Sequence, residues 1–213
     1  MASRLEIDQA SGHARAAHIR EAFGLEWVTA GWMLIEAAVA IGSGVAAHSL
    51  TLTAFGVDSV IELLSACVLL WRLNVELRLG HEFSEKVERR AARLGGALLI
   101  ALTAYVVASA VWGLWRGAGQ DVSVPGLVLV TLAMPIMYGL ARAKTRIAIA
   151  IGSAALRADA AESIACAYLS AVVVIGLLAQ WLTGAWWIDG ISALALTPFL
   201  LKEVREAWEG EAE

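Results

Sequence analysis

Two carboxylates lie near the middle of an apolar stretch that is long enough to cross a membrane. The stretch runs from Ser49 to Leu70, and as a helix its twenty-two residues would cover a hydrocarbon core of roughly 30 Å. Asp58 and Glu62 are four residues apart and therefore share one helix face. An ionised carboxylate at that depth costs about 2.5–3.5 kcal/mol or more and needs a partner, water or an ion. The pair predicts a site for a cation or a proton; the alternative is a pair that only hydrogen-bonds neighbouring helices.

A second pair with the same spacing, Glu162 and Cys166, follows later in the chain. An offset of 104 residues places Glu162 on Asp58 and Cys166 on Glu62. The same offset gives four identities: Ser49 with Ser153, Leu52 with Leu156, Ala54 with Ala158 and Ser59 with Ser163. Duplicated halves with a site between them are a recurrent design in transporters. We therefore predict two three-helix pseudo-repeats.

Two helices that each offer two side chains on one face can form a four-ligand, tetrahedral metal site. Carboxylate oxygen and thiolate sulfur are both ligands of Zn²⁺. The three carboxylates, Asp58, Glu62 and Glu162, favour Mn²⁺ and Fe²⁺, whereas the sulfur of Cys166 favours Zn²⁺ or Cd²⁺. The alternative for Cys166 is a small buried apolar residue, as free cysteine often is.

Two further acids have less specific interpretations. Glu36 lies in the middle of the first apolar stretch, where it either supports the ligands, relays protons or pairs with a polar residue. Asp159 is expected in the first turn of its helix, where the helix dipole favours a carboxylate; support of the site or proton relay is the alternative. His48 and Asp189 are expected near the outer ends of their helices, where a role in the ion pathway is conceivable, and Cys67 is expected to pack.

Composition places these residues in an all-α membrane protein. The chain is 59% hydrophobic with a mean hydropathy of +0.69, against roughly 45–50% apolar residues for a soluble domain. Six spans are predicted, at about 27–47, 49–70, 94–115, 124–140, 163–182 and 187–201, with the fifth helix beginning near residue 148. The segment ARAKTR between the fourth and fifth spans is expected to be a short basic loop. Residues 1–23 form a leader, 24–204 the transmembrane domain and 205–213 a tail.

Charge distribution sets the orientation. With both termini in the cytoplasm, fifteen of the sixteen Lys and Arg residues lie on the inner side, and only Arg116 lies outside. Tryptophans fall near the predicted span ends, as in an aromatic belt. The net charge of −4 gives no electrostatic case for a nucleic-acid partner.

Three segments together resemble the transmembrane domain of cation diffusion facilitator (cation efflux) transporters. SLTLTAFGVDSVIELLSACVLLWRL resembles the second transmembrane helix of that family, GSAALRADAAESIACAYLS the fifth, and WWIDGISALAL the start of the sixth. The resemblance covers about residues 24–204 and is specific through the order and spacing of the three pieces. The metal site of the family falls here on Asp58, Glu62, Glu162 and Cys166. Glu162 occupies a position where the family usually has histidine, and Cys166 occupies one where it usually has aspartate.

The resemblance implies a homodimer in the bacterial inner membrane that exports a divalent metal, Zn²⁺ first, in exchange for protons. It implies no enzymatic activity and no resident cofactor beyond the transported ion. We expect the usual cytosolic C-terminal domain to be missing, since twelve residues follow the sixth span. Two other functions stay open: a proton-coupled exporter of organic cations, which would need an aromatic-lined cavity beside the acids, and a non-transporting membrane scaffold.

Overall fold

The computed structural model describes residues 2–79, 85–117, 121 and 123–209. This part of the chain forms six α-helices and contains no strand, which confirms the all-α prediction. The helices are α1 (Ala2–Ala46), α2 (Leu50–Leu79), α3 (Glu85–Arg116), α4 (Val124–Ile151), α5 (Ala154–Thr183) and α6 (Ile188–Glu209). The predicted leader is not a separate element in the backbone, because α1 runs without interruption from Ala2 into the first apolar stretch.

The prediction of a loop at ARAKTR was wrong, because α4 continues through this segment. The helix ends eleven residues later than expected for its span, at Ile151, and the next residue, Gly152, adopts a left-handed conformation with φ of 67°. The Gly152 N–H then bonds carbonyl groups of the last turn, which is a common way to close a helix. Ser153 begins α5 at once, so the fifth helix starts at Ala154 and not near residue 148.

The helices α2 and α5 begin with the same capping arrangement. Ser49 Oγ accepts a hydrogen bond from the Leu52 amide at 3.2 Å, and Ser153 Oγ accepts one from the Leu156 amide at 3.3 Å. Both helices contain thirty residues, and their first residues are 104 positions apart. Two of the four identities at this offset are therefore the cap serine and the leucine whose amide it binds.

Close packing of α1 on α2 brings their backbones together at Gly56. A Cβ atom on Gly56 would lie 2.8 Å from the backbone nitrogen of Ile41 and 2.9 Å from the Cβ of Ala40. Glycine is thus needed at 56 because two helix backbones approach there. The main hydrophobic core contains side chains from all six helices, among them Met33, Phe55, Val106, Met137, Leu169 and Leu196.

Four of the described helical segments are long and apolar enough to cross a membrane. They are Ala17–Ala46, Leu50–Val75, Val124–Ile151 and Asp159–Thr183, and Ile100–Arg116 is a shorter apolar segment. Large apolar side chains such as Trp27, Leu34, Ile175 and Leu182 are exposed on the outside of the bundle, as expected where lipid is the solvent. The chain is therefore an integral membrane protein with several spans.

Candidate cation-binding site

Asp58 and Glu62 lie on the inward face of α2. Asp58 is 3% exposed and Glu62 is 7% exposed, although each is flanked by lipid-facing positions such as Val60 and Leu64. The i, i+4 spacing explains this arrangement, because it keeps both carboxylates on the helix face that packs against the bundle. Both acids are therefore held inside the protein, within the candidate span Leu50–Val75.

The second pair faces α2 from α5. Cys166 is 1% exposed, and Glu162 is half-buried with its Oε2 accepting a hydrogen bond of 3.4 Å from Ser65 Oγ on α2. Glu162 also interacts electrostatically with Asp58, and the Cys166 thiol interacts with both Asp58 and Glu62. The four predicted residues thus lie on α2 and α5 within electrostatic range of one another.

Glu36 joins this group from α1. It is fully buried and accepts hydrogen bonds from Trp32 Nε1 at 2.7 Å and Ser59 Oγ at 2.7 Å. The thiol of Cys166 donates a longer bond to the same carboxylate, with 3.6 Å between Sγ and Oε1. Glu36 therefore pairs with polar residues, which is one of the roles considered from the sequence, and it also contacts Cys166, a predicted ligand.

The five side chains converge without forming a closed coordination sphere. Within the described residues, no three His, Cys, Asp or Glu side chains stand close enough to hold an ion as they are. Asp58 Oδ1 is nevertheless buried with no hydrogen-bond partner among the described residues. A buried, unsatisfied carboxylate oxygen is costly, and a cation would satisfy it. The donor set therefore suits a divalent cation that draws the ligands inward.

Asp159 has a different role from the one expected. It is the sixth residue of α5 and not in the first turn, so the helix dipole does not account for it. Its carboxylate forms a buried ion pair with the ammonium group of Lys144, which also lies 3.1 Å from Glu26 Oε1. Lys144 Nζ contacts Ser163 Oγ as well, at 3.4 Å. This cluster ties α1, α4 and α5 together beside Glu162.

Sequence reasoning missed Lys144 and Glu26. Lys144 falls in the predicted basic loop ARAKTR, and Glu26 lies just before the first predicted span, where the sequence assigns it no role. Both side chains are fully buried. A signal was present in the sequence, since five apolar residues in a row, Ile147 to Ile151, follow close behind Lys144 and continue the helix.

Asp189 also has a structural explanation. Its side chain accepts hydrogen bonds from Ser49 Oγ and from the amides of Leu50 and Thr51. These three residues lie at the start of α2. A carboxylate at a helix N-terminus satisfies amides that have no partner within the helix. The contacts of Asp189 are thus those of a cap that ties α6 to α2.

The comparison with protein families agrees with the geometry. Residues 27–209 match the model of the cation efflux transmembrane domain. No curated protein sequence matches the chain. The matched region contains all four residues of the predicted site as well as Glu36 and Asp159. By this match, which covers most of its length, the chain belongs to the cation efflux family of membrane transporters.

Proposed function

We propose that this protein exports a divalent metal cation, Zn²⁺ first, in exchange for protons. The observation that supports the proposal is that Asp58, Glu62 and Cys166 are buried on α2 and α5, where Glu162 also hydrogen-bonds Ser65 of α2. The family membership supports cation transport in general. The metal and the exchanged ion are inferred from the chemistry of these side chains.

The proposed ligands divide between two helices. Asp58 and Glu62 bind the cation from α2, and Glu162 and Cys166 bind it from α5. Three carboxylates and one sulfur suit Zn²⁺, with Cd²⁺, Mn²⁺ and Fe²⁺ as related candidates. The unsatisfied Asp58 Oδ1 would gain a partner from the cation, because it has no hydrogen-bond partner among the described residues.

Proton exchange follows from the charges of the same groups. Burial and mutual repulsion favour the protonated form of neighbouring carboxylates when no cation is present. A divalent cation binds the ionised forms, so its arrival releases protons. Alternating exposure of one site to the two sides of the membrane then couples metal export to proton entry.

The proposal includes a six-span topology with both termini in the cytoplasm. The distribution of fifteen basic residues on one side and one on the other supports it. Each of the six helices has at least twenty-two residues and therefore the length of a span, and four of them also contain a segment that is apolar enough to cross the hydrocarbon core. By resemblance to the family, we propose a homodimer in the inner membrane of a bacterium.

Metal flux into proteoliposomes tests the function. Purified protein would be reconstituted, and uptake of Zn²⁺, Cd²⁺, Mn²⁺ and Fe²⁺ measured with an imposed proton gradient. We expect uptake of at least one of these ions, and Asp58→Asn should abolish it because it removes a ligand charge. Glu21→Gln is the matched control, because it removes a carboxylate whose salt bridge with Arg146 is exposed.

Other outcomes favour the two alternative functions. Flux of organic cations without metal flux would indicate an organic-cation exporter. If no flux is detected, and if apolar residues at all four ligand positions cause no loss of phenotype, the protein would be a scaffold. If Asp58→Asn leaves metal flux unchanged, the transport site lies elsewhere in the protein.

A further inference from the structure

Glu36 is a buried acid for which the four-ligand site gives no role. Its side chain is fully buried near the middle of the first candidate span. Its contacts within the described residues are an indole, a hydroxyl and a thiol, and none of them is a cation. Lys144, which is the buried lysine among the described residues, already forms ion pairs with Glu26 and Asp159. A buried carboxylate without a cation is unfavourable unless an ion or proton neutralises it.

Hydrogen bonds fix where this carboxylate points. Trp32, one turn earlier on α1, binds Oε2, and Ser59 on α2 binds Oε1, both at 2.7 Å. Ser59 is adjacent in sequence to Asp58. Oε1 is also the atom that Cys166 contacts from α5, at 3.6 Å. One oxygen of Glu36 is therefore held at the meeting point of the three helices that surround the proposed site.

The neighbouring Asp58 supplies an independent observation. Asp58 is 97% buried, its Oδ1 has no hydrogen-bond partner among the described residues, and its carboxylate interacts electrostatically with that of Glu36. Two buried carboxylates in this position repel each other when both are ionised. A divalent cation between them converts that repulsion into attraction and gives Asp58 Oδ1 a partner.

We propose that Glu36 is a further cation-binding residue, delivered from α1, and that it sets metal selectivity in opposition to Cys166. The inference rests on the proposed transport site and adds a third helix to it. A carboxylate is a hard ligand and favours cations such as Mn²⁺, whereas sulfur favours softer cations such as Cd²⁺. The thiol is a weak hydrogen-bond donor, so a cation can replace its bond to Glu36 Oε1.

Equilibrium binding to the full-length protein in detergent tests this inference without transport. Affinities for Mn²⁺ and Cd²⁺ would be measured separately for the wild type, Glu36→Gln and Cys166→Ser. We expect Glu36→Gln to weaken Mn²⁺ binding at least about tenfold and Cd²⁺ binding much less. Cys166→Ser should do the opposite, since it removes the sulfur and keeps a hydroxyl of similar size.

A rescue experiment separates a ligand from a group that only hydrogen-bonds. Because Cys166 Sγ lies beside Glu36 Oε1, an aspartate at 166 would place a carboxylate next to the one that Glu36→Gln removes. Cys166→Asp should raise Mn²⁺ affinity more in the Glu36→Gln background than in the wild type, because only there does it replace a lost carboxylate. The matched double variant Glu36→Gln, Cys166→Asn has nearly the same shape without the charge and should not recover Mn²⁺ affinity.

Folding controls keep the result interpretable. Trp32→Phe removes the indole donor but keeps the carboxylate, so the ratio of Mn²⁺ to Cd²⁺ affinity should stay near that of the wild type. If Glu36→Gln does not elute as folded protein, Glu36→Ala in the Cys166→Asp background replaces it, and recovery of Mn²⁺ binding is again expected.

The outcomes distinguish this inference from the proposed function. Equal losses for both metals in Glu36→Gln, or rescue by asparagine as well as aspartate, would overturn the ligand role of Glu36. In either case Asp58→Asn would still abolish binding if the proposed site is correct. Unchanged metal binding in Asp58→Asn would instead rule out the proposed site itself.

Discussion

At the scale of single residues, the most constrained side chain is Lys144. Its ammonium group is fully buried and lies between Glu26 and Asp159, with Ser163 completing its contacts. A buried ion pair adds little net stability, but removing one partner leaves uncompensated charge inside the protein. Lys144 is thus held in place by the carboxylates, and the carboxylates depend on it in turn.

Replacement of Lys144 by methionine should therefore destabilise the protein strongly. We expect a loss of about 3–5 kcal/mol, because Glu26 and Asp159 would stay buried without a cation. Adding Glu26→Gln and Asp159→Asn to the same chain should recover most of the loss. Thermal unfolding in detergent measures the effect.

Arg157→Met is the control for that experiment, since Arg157 lies exposed on α5. It should change the unfolding temperature little. A Lys144→Met protein as stable as the wild type would mean that the carboxylates are neutral in the folded state and need no cation.

At the scale of helices, the position of Glu36 relative to Asp58 depends on the contact between α1 and α2. Gly56 lies one turn before the serine that binds Glu36, at a point where the two backbones touch. Gly44 makes a second close approach, because a Cβ there would lie 2.7 Å from the backbone nitrogen of Thr53. These glycines let α1 deliver its carboxylate to the face of α2 that carries the site.

Gly56→Ala should push α1 away from α2 and loosen both the fold and the site. The added methyl group would meet backbone atoms, which cannot move aside as a flexible side chain can. We expect a loss of about 1–3 kcal/mol, together with weaker metal binding. Thermal unfolding and equilibrium binding measure the two effects.

Gly42→Ala is the matched control, because a Cβ at Gly42 meets nothing within 4 Å. It should leave binding unchanged and raise helix stability slightly, since alanine is the better helix former. Similar losses in both variants would show that α1 does not need its close approach to α2.

At the scale of the whole molecule, α2 and α5 share equivalent features but contact partners of opposite charge. The helices α2 and α5 start with equivalent caps, and the equivalent serines Ser59 and Ser163 each contact a buried ionisable residue of another helix. In the first half that residue is Glu36 on α1, and in the second it is Lys144 on α4. Among the described residues, the buried carboxylate of Glu36 thus contacts no cation, whereas Ser163 contacts a buried lysine, and this difference fits the cation site proposed beside Glu36.

Proton release on metal binding is the whole-molecule prediction. Protons and metal compete for Asp58, Glu62 and Glu162, so the apparent metal affinity should rise with pH and then level off once the empty site is ionised. Adding Zn²⁺ to solubilised protein between about pH 5.5 and 8 should release protons where the empty site still holds them. A weakly buffered solution with a pH indicator gives the measurement.

Asp58→Asn should reduce that release, because it deletes a titrating group together with a ligand charge. Glu21→Gln, at an exposed salt bridge, should leave it unchanged. Tight Zn²⁺ binding with no proton release across the whole range would exclude exchange through these acids.

The sequence by itself determined what lies within each helix. Apolar length predicted an all-helical membrane protein, and the i, i+4 spacing placed Asp58 with Glu62 and Glu162 with Cys166, because the helical period fixes which residues share a face. The family followed from the order of these segments. Their ligand role stays a prediction.

Only the tertiary structure decided which faces meet. Glu36 and Cys166 are 130 residues apart, and Glu26 and Lys144 are 118 apart, so no local period relates them. Lys144 looked like a loop residue because its neighbours are basic, yet it becomes a buried helix residue where two carboxylates from other helices surround it. Burial and ion pairing of this kind depend on contacts between distant segments, and these exist only once the helices have packed.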